Sequence, residues 1–139
     1  MHKLHNFSLL ITCISLTACT PKPNLVVGNT QVDFTSKTVN VEVKNVGKKD
    51  AGNHLTYIEI NEVGANAQQK PQSQYSANVP NIAKGSSWNS GSIPFSAFSQ
   101  PRGLDLSTLS SGNMVVSADA KNMVSESNEN DNISDADYN

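Results

Sequence analysis

Past Cys19 the chain has no cysteine, and past position 5 it has a single histidine, His54. A disulfide framework, a Cys/His dyad and a zinc cluster all need side chains that are missing from that part of the sequence. No H-E-x-x-H, G-x-S-x-G, C-x-x-C or glycine-rich phosphate loop occurs either. The isolated acids Asp33, Glu59 and Glu62 have no spacing that pairs them, so catalytic chemistry is not expected and no catalytic residue is assigned. Ten Lys and Arg stand against twelve Asp and Glu with no basic block, which argues against a nucleic-acid surface, because such a surface needs clustered cations. Aromatic residues make up only 6% of the chain, with Trp88 the one tryptophan. No apolar run approaches the roughly 20 residues that a spanning helix needs.

The longest apolar run, Phe7 to Leu16, follows Lys3 and lies in Met1 to Thr20, MHKLHNFSLLITCISLTACT. A polar start and a short apolar stretch are the pattern of a cleaved secretory signal peptide. Leu16-Thr17-Ala18-Cys19 resembles a bacterial lipobox. The resemblance implies cleavage before Cys19, a diacylglyceryl group on its thiol and an acyl chain on its new amino group. The signal peptide is then 1–18, and removing those 18 of 139 residues leaves 121, with nine basic and twelve acidic side chains and a formal charge of −3. Two or three acyl chains make an anchor effectively permanent, whereas one holds only marginally. Thr20 after the cysteine implies the outer membrane if the source is Gram-negative. Residues 19–24, with Pro21 and Pro23, read as the lipidated cysteine followed by a short, stiff, extended tether.

The remainder is rich in Ser and Asn, which suit turns and solvated strand faces better than helix interiors. Period-two alternation is clearest from Thr38 to Val46, where Val39, Val41 and Val43 share one face and Asn40, Glu42 and Lys44 the other. Further strands are expected at Leu25 to Val27 with Gln31 to Phe34, joined through a bulge or kink at Gly28-Asn29, and at His54 to Asn61. Gln74 to Val79, Ser86 to Phe95, Asn113 to Ala120 and a start at Met123 to Asn128 complete the set. Asp105 to Leu109 is the only candidate helical turn. About seven short strands spaced roughly ten residues apart predict an all-β, immunoglobulin-like antiparallel sandwich. Residues 133–139 read as an acidic, disordered tail.

Three stretches in order resemble the CARDB domain, a cell-adhesion-related, immunoglobulin-like module of bacterial extracytoplasmic proteins. They are Pro23-Asn24-Leu25-Val26-Val27, then VNVEVKNVGKKDAG from Val39 to Gly52, and SADAKNMVSESNENDN from Ser117 to Asn132. Ile82-Ala83-Lys84-Gly85 adds a family-like turn, so the match spans most of residues 23–132, with the sandwich itself set at 25–132. Asp131 departs from the family's paired asparagines, and Ser90 and Ser92 weaken the strand after Gly85. The resemblance implies a lipid-anchored cell-envelope protein with a non-enzymatic protein-interaction or adhesion role. Its partners are then the membrane, through the anchor, and another envelope or surface protein.

Two sets of residues remain as site candidates. Asp119, Glu126, Asn128, Glu129 and Asp131 are oxygen-rich enough for calcium, although Asn and carboxylate groups also cap backbone N–H groups where a sandwich closes. The capping role is the first expectation and calcium the second. No other cofactor is expected besides the lipid on Cys19. Among Trp88, Tyr57, Tyr75, Phe95 and Phe98, exposed rings would stack on sugars. That leaves a carbohydrate-binding accessory module as the alternative function, with Trp88 as the ligand contact; the first expectation for Trp88 is a place in a small core that needs large side chains. His54 is expected to be satisfied or solvated.

Overall fold

A computed structural model describes residues 20–62, 73–100 and 105–139. The leader, Cys19, nearly all of the Glu62 to Ser73 loop and part of the later Ser-rich connection lie outside the described residues. The chain forms eight strands: β1 Leu25–Asp33, β2 Thr38–Asn45, β3 His54–Asn61, β4 Ser73–Val79, β5 Ser87–Asn89, β6 Ile93–Pro94, β7 Gly112–Ser117 and β8 Ile133–Tyr138. One sheet sets β1 on one edge of β2 and both β5 and β6 on the other; the second runs β4-β3-β7-β8. All pairings are antiparallel.

Alternation decides which faces meet. Val39, Val41 and Val43 of β2 point inward and are buried, as are Ile58 and Ile60 of β3 and Met114 and Val116 of β7. Each such side chain contributes roughly 1.5–3 kcal/mol relative to exposure. Phe95, Phe98 and Leu106 close the core at one end, with Phe34 edge-on to Phe95 at a centroid distance of 5.9 Å. Leu106 gets there through a 3-10 turn, Leu106–Thr108, at the expected helical turn, where the Asp105 carboxylate accepts the Ser107 N–H at 2.9 Å. The Gly28-Asn29 irregularity is a register shift between Val27 and Thr30. It keeps Leu25, Val27, Thr30 and Val32 opposite Asn45, Val43, Val41 and Val39, all on the core side.

Three expectations are corrected. Ser86 to Phe95 is two short strands, because Ser90 and left-handed Gly91 interrupt it: the Val41 N–H donates to Ser90 Oγ at 3.0 Å, and Gly91 adopts φ 65°. Met123 to Asn128 is loop, since Asp119, itself at φ 48°, turns the chain away and takes the N–H groups of Met123 and Val124. Residues 133–139 are no disordered tail: β8 covers the free edge of β7 over six paired positions. Ser134, Ala136 and Tyr138 lie on its core side, and the Tyr138 hydroxyl hydrogen-bonds Thr30 Oγ1 across the seam between the two sheets. With Asp135 and Asp137 facing out and only one large inward side chain, β8 carries a weak apolar pattern. Its acidic outer face also blunts an exposed sheet edge.

The sandwich has two poles. The chain enters at one, which holds residues 20–25, 45–54, 79–87 and 117–133; the β1–β2 turn and residues 105–111 form the other. Every strand and the whole buried core lie between Pro23 and Tyr138 among the described residues. Truncation after Asn132 should therefore lower stability by roughly 3 kcal/mol or more, since it removes several ladder hydrogen bonds at about 0.5–1.5 kcal/mol each and bares β7. Urea titration followed by circular dichroism measures this; an unchanged midpoint would show that β8 is dispensable.

Candidate functional site

The residues singled out from the sequence converge at the entry pole, where the segment Lys22 to Leu25 lies against the loop from Ala118 to Asn132. Pro23 and Asn24 are buried, so the end of the expected stiff, extended tether is docked on the domain. Its backbone is fastened on both sides: Val46 N–H donates to Asn24 O and Lys48 N–H to Lys22 O, both at 2.8 Å, and Ser127 N–H donates to Pro23 O at 2.9 Å. Two asparagines complete the clasp. Asn24 donates through Nδ2 to Asp131 Oδ2 at 3.0 Å and accepts the Asn128 N–H on Oδ1 at 3.0 Å. Asn45 accepts the N–H groups of Asn24 and Gly47 on Oδ1, while Nδ2 donates to the carbonyls of Lys49 and Ile82 at 2.8 and 2.9 Å. Gly47 has no side chain for a steric reason. A Cβ there would sit 2.3 Å from the Asn24 nitrogen and 2.4 Å from the Pro23 carbonyl carbon.

Each carboxylate of the closing motif has a hydrogen-bonded partner of its own. Asp119, 1% exposed, accepts Met123 N–H and Val124 N–H at 2.8 Å, one on each oxygen. Glu126, 3% exposed, accepts the Leu25 N–H on Oε2 and Asn132 Nδ2 at 3.3 Å on Oε1. Glu129 reaches back to the Glu126 N–H at 2.8 Å. Asp131 uses Oδ2 for Asn24 and keeps a buried Oδ1 without a partner. The four acidic calcium candidates are thus brought to one pole, but their oxygens are aimed at separate donors. Among the described residues, no group of three or more His, Cys, Asp or Glu is arranged to hold a metal ion. Asn24 and Asn45, central to the clasp, are not singled out by sequence reasoning; the Asn45-Val46-Gly47 turn beside the opening Pro23-Asn24 was the available signal.

Burial pushes the Glu126 carboxyl up to about 7, against the pull of the Leu25 N–H, and the neighbouring charges of Glu129 and Asp119 add to the rise. Elsewhere burial raises Glu59, whose Oε1 accepts Gln74 Nε2 at 3.3 Å on the outer face of the second sheet. Asp33 is lowered by hydrogen bonds from Ser36 and Thr35 in the β1–β2 turn, on the other sheet. These acids are not paired.

His54 is buried, with Nδ1 3.2 Å from Gly52 O and Nε2 without a partner; the hydroxyl of Thr56, next inward-facing on β3, is likewise buried and unpartnered. It is neither solvated nor fully satisfied. Trp88 stands opposite buried Val43 and packs half-buried against the core from the β5 edge. Tyr75 and Phe98 stack on one another at 5.5 Å. At the far pole an open hollow of about 380 Å³ is lined by Gln31, Asp33, Phe34, Lys37 and Leu109 among others. A smaller one of about 190 Å³, between Gln31, Asn40, Thr38 and Ser92, adjoins it.

The CARDB profile matches residues 22–136, from the docked lysine to the middle of β8. The chain belongs to the CARDB family. The match extends past the 25–132 expected from the motifs at both ends, because the tether and the last strand are part of the fold. Among solved structures, a domain described as that of a cell surface protein from Methanosarcina acetivorans superposes with a TM-score of 0.58 at 20% identity, over 84% of this chain and 90% of that one. The ligand-binding region of serine-glutamate repeat protein A from Enterococcus faecium aligns at a TM-score of 0.35 and 12% identity, over 82% and 89%. No curated protein matches the sequence. The first likeness shows the fold of the CARDB sandwich.

Glu126→Ala should destabilise the domain by about 1–3 kcal/mol, because it leaves the buried Leu25 N–H unpaired. A carboxyl raised in the folded state stabilises fully below the ordinary Glu value of 4.5, and that contribution fades as pH rises through about 7. Urea midpoints of wild type and Glu126→Gln should accordingly converge above pH 7 less well than below 4.5, with the slope between those limits present only in wild type; parallel curves would contradict the assignment. Gly47→Ala should cost about 1–3 kcal/mol by overpacking. Thermal melts in millimolar calcium and in EGTA should coincide, since capping needs no ion, whereas a shift that follows calcium concentration would make the motif a cation site.

Proposed function

We propose that this CARDB protein is a lipid-anchored, non-enzymatic module of the cell envelope that holds its sandwich at a membrane surface for interaction with another envelope or surface protein. The observation that carries this reading is the meeting of two features in the sequence. The lipobox-like Leu16-Thr17-Ala18-Cys19 ends where the family match is about to begin, at residue 22. Cys19 carries the lipid, cleavage removes residues 1–18, and Thr20 directs the protein to the outer membrane in a Gram-negative cell. Among the described residues no helix is long and apolar enough to cross a membrane, so in this reading attachment comes from the acyl chains. The likeness to a cell surface domain supports the location through fold alone. The partner-binding end is the far pole, with its hollows between Gln31, Asn40 and Phe34, because the entry pole is taken up by the anchor. Carbohydrate binding through Trp88 is the weaker reading, since that ring packs on the core from the inner face of its strand.

Cys19→Ser should leave an uncleaved precursor and abolish partitioning into the detergent phase, while mass spectrometry of wild type should find an acylated N-terminal cysteine. A mature protein beginning elsewhere, or an unmodified Cys19, would end the anchor hypothesis. In-cell cross-linking to a protein partner should be lost in the paired variant Gln31→Lys/Asn40→Lys with the fold intact.

A further inference from the structure

The described lysines are unevenly placed. Lys22, Lys48, Lys49, Lys84 and Lys121 all sit at the entry pole, leaving only Lys37 and Lys44 for the rest of the described chain. Lys48, Lys49, Lys84 and Lys121 are exposed, and their ammonium groups have no ion pair or hydrogen bond among the described residues. The acids of the same pole are differently disposed. Asp119 and Glu126 are buried and Asp131 is half-buried against Asn24, which leaves Asp50 and Glu129 as the exposed acids of the pole against four exposed lysines without a partner. At the same pole stand all three large apolar side chains that the described surface exposes, Val46 at 58%, Met123 at 56% and Ile133 at 63%. Val46 is bonded to the entering chain at Asn24, and Met123 lies two residues before Ser125 in the loop that the chain docks on. Lys22 accepts the Lys48 N–H on one side and reaches Ser125 Oγ at 3.0 Å on the other.

We infer that the entry pole is a membrane-docking surface, whose lysines take anionic lipid headgroups while Val46 and Met123 dip into the interface. The orientation rests on the lipid-anchor reading above. Only Thr20 and Pro21 separate Cys19 from docked Lys22, and an extended chain reaches at most about 3.3–3.6 Å per residue, so roughly 10 Å joins the acylated residue to the pole. A tether that short brings the lysines within about one Debye length of the headgroups, where their attraction is little screened. The anchor and the exposed lysines then act together, as one lipid signal and one electrostatic signal commonly do.

Residues 20–139, which contain every described strand and the entire buried core, allow docking to be measured without the lipid. Their binding to phosphatidylglycerol-containing vesicles should exceed that to phosphatidylcholine vesicles and fall with added salt. Lys48→Gln/Lys49→Gln should weaken it roughly 30-fold, at about fivefold per lysine, while Lys44→Gln, on the sandwich flank beside Glu42, changes it little; circular dichroism verifies that each variant is folded. Binding that is equal on both lipids, or indifferent to the paired substitution, would overturn the docking surface even if Cys19 is acylated. An unacylated Cys19 would remove the anchor while leaving the vesicle result to stand by itself.

Discussion

Asn24 is held by Asn45 from one side and by the closing loop from the other, and the rest of the structure depends on that arrangement. A sandwich of two four-stranded sheets leaves both ends of its core open, and polar backbone at those ends must find partners. Here the incoming chain is drawn across one end as a strap. Its backbone bonds to the β2–β3 turn and to the loop before β8, and its side chain joins the same two elements. Glu126 completes the closure by reaching through the loop to the first residue of β1. With Pro23 and Asn24 in place, Leu25 enters the core fully buried and the register of the first sheet is set.

Much of this was legible in the sequence where side-chain period and burial coincide. The three valines of β2, the isoleucines of β3 and the bulge at Gly28-Asn29 all follow from local pattern, and so does the turn at Leu106. The errors came where partners, not pattern, decide. β8 has almost no apolar signal of its own and exists because β7 offers it an unpaired edge. Met123 to Asn128 alternates like a strand, yet its N–H groups are claimed by Asp119, Glu129 and Pro23. The oxygen-rich closing motif could serve a cation or a backbone equally well on paper; only the directions of its carboxylates separate the two. Asn24 and Asn45 were invisible for the same reason, since an asparagine's four hydrogen-bonding directions acquire meaning only when two distant segments meet around it.

The polarity of the molecule follows from the same closure. The entering chain shares its end of the sandwich with five lysines and three bare apolar side chains, while the polar hollows, with Phe34 and residues 105–111, lie at the opposite end. The internal polar atoms of His54 and Thr56 that find no partner lie at the start of β3, beside that entry pole.

The contact between Leu25 and Glu126 joins residues 101 positions apart. Pairings at such separation close late and slowly, because a long loop must be ordered before any reward is gained. A chain that emerges amino end first exposes β1 and β2 long before the loop that straps them exists, and so has no finished native edge to settle into. The two segments depend on each other: the Leu25 N–H has its side-chain acceptor only when the loop before β8 is in place, and that loop is fastened only when the entering chain is there to bond it. The strap is thus a latch with both halves supplied by distant stretches of one chain, so that loosening either one releases the other.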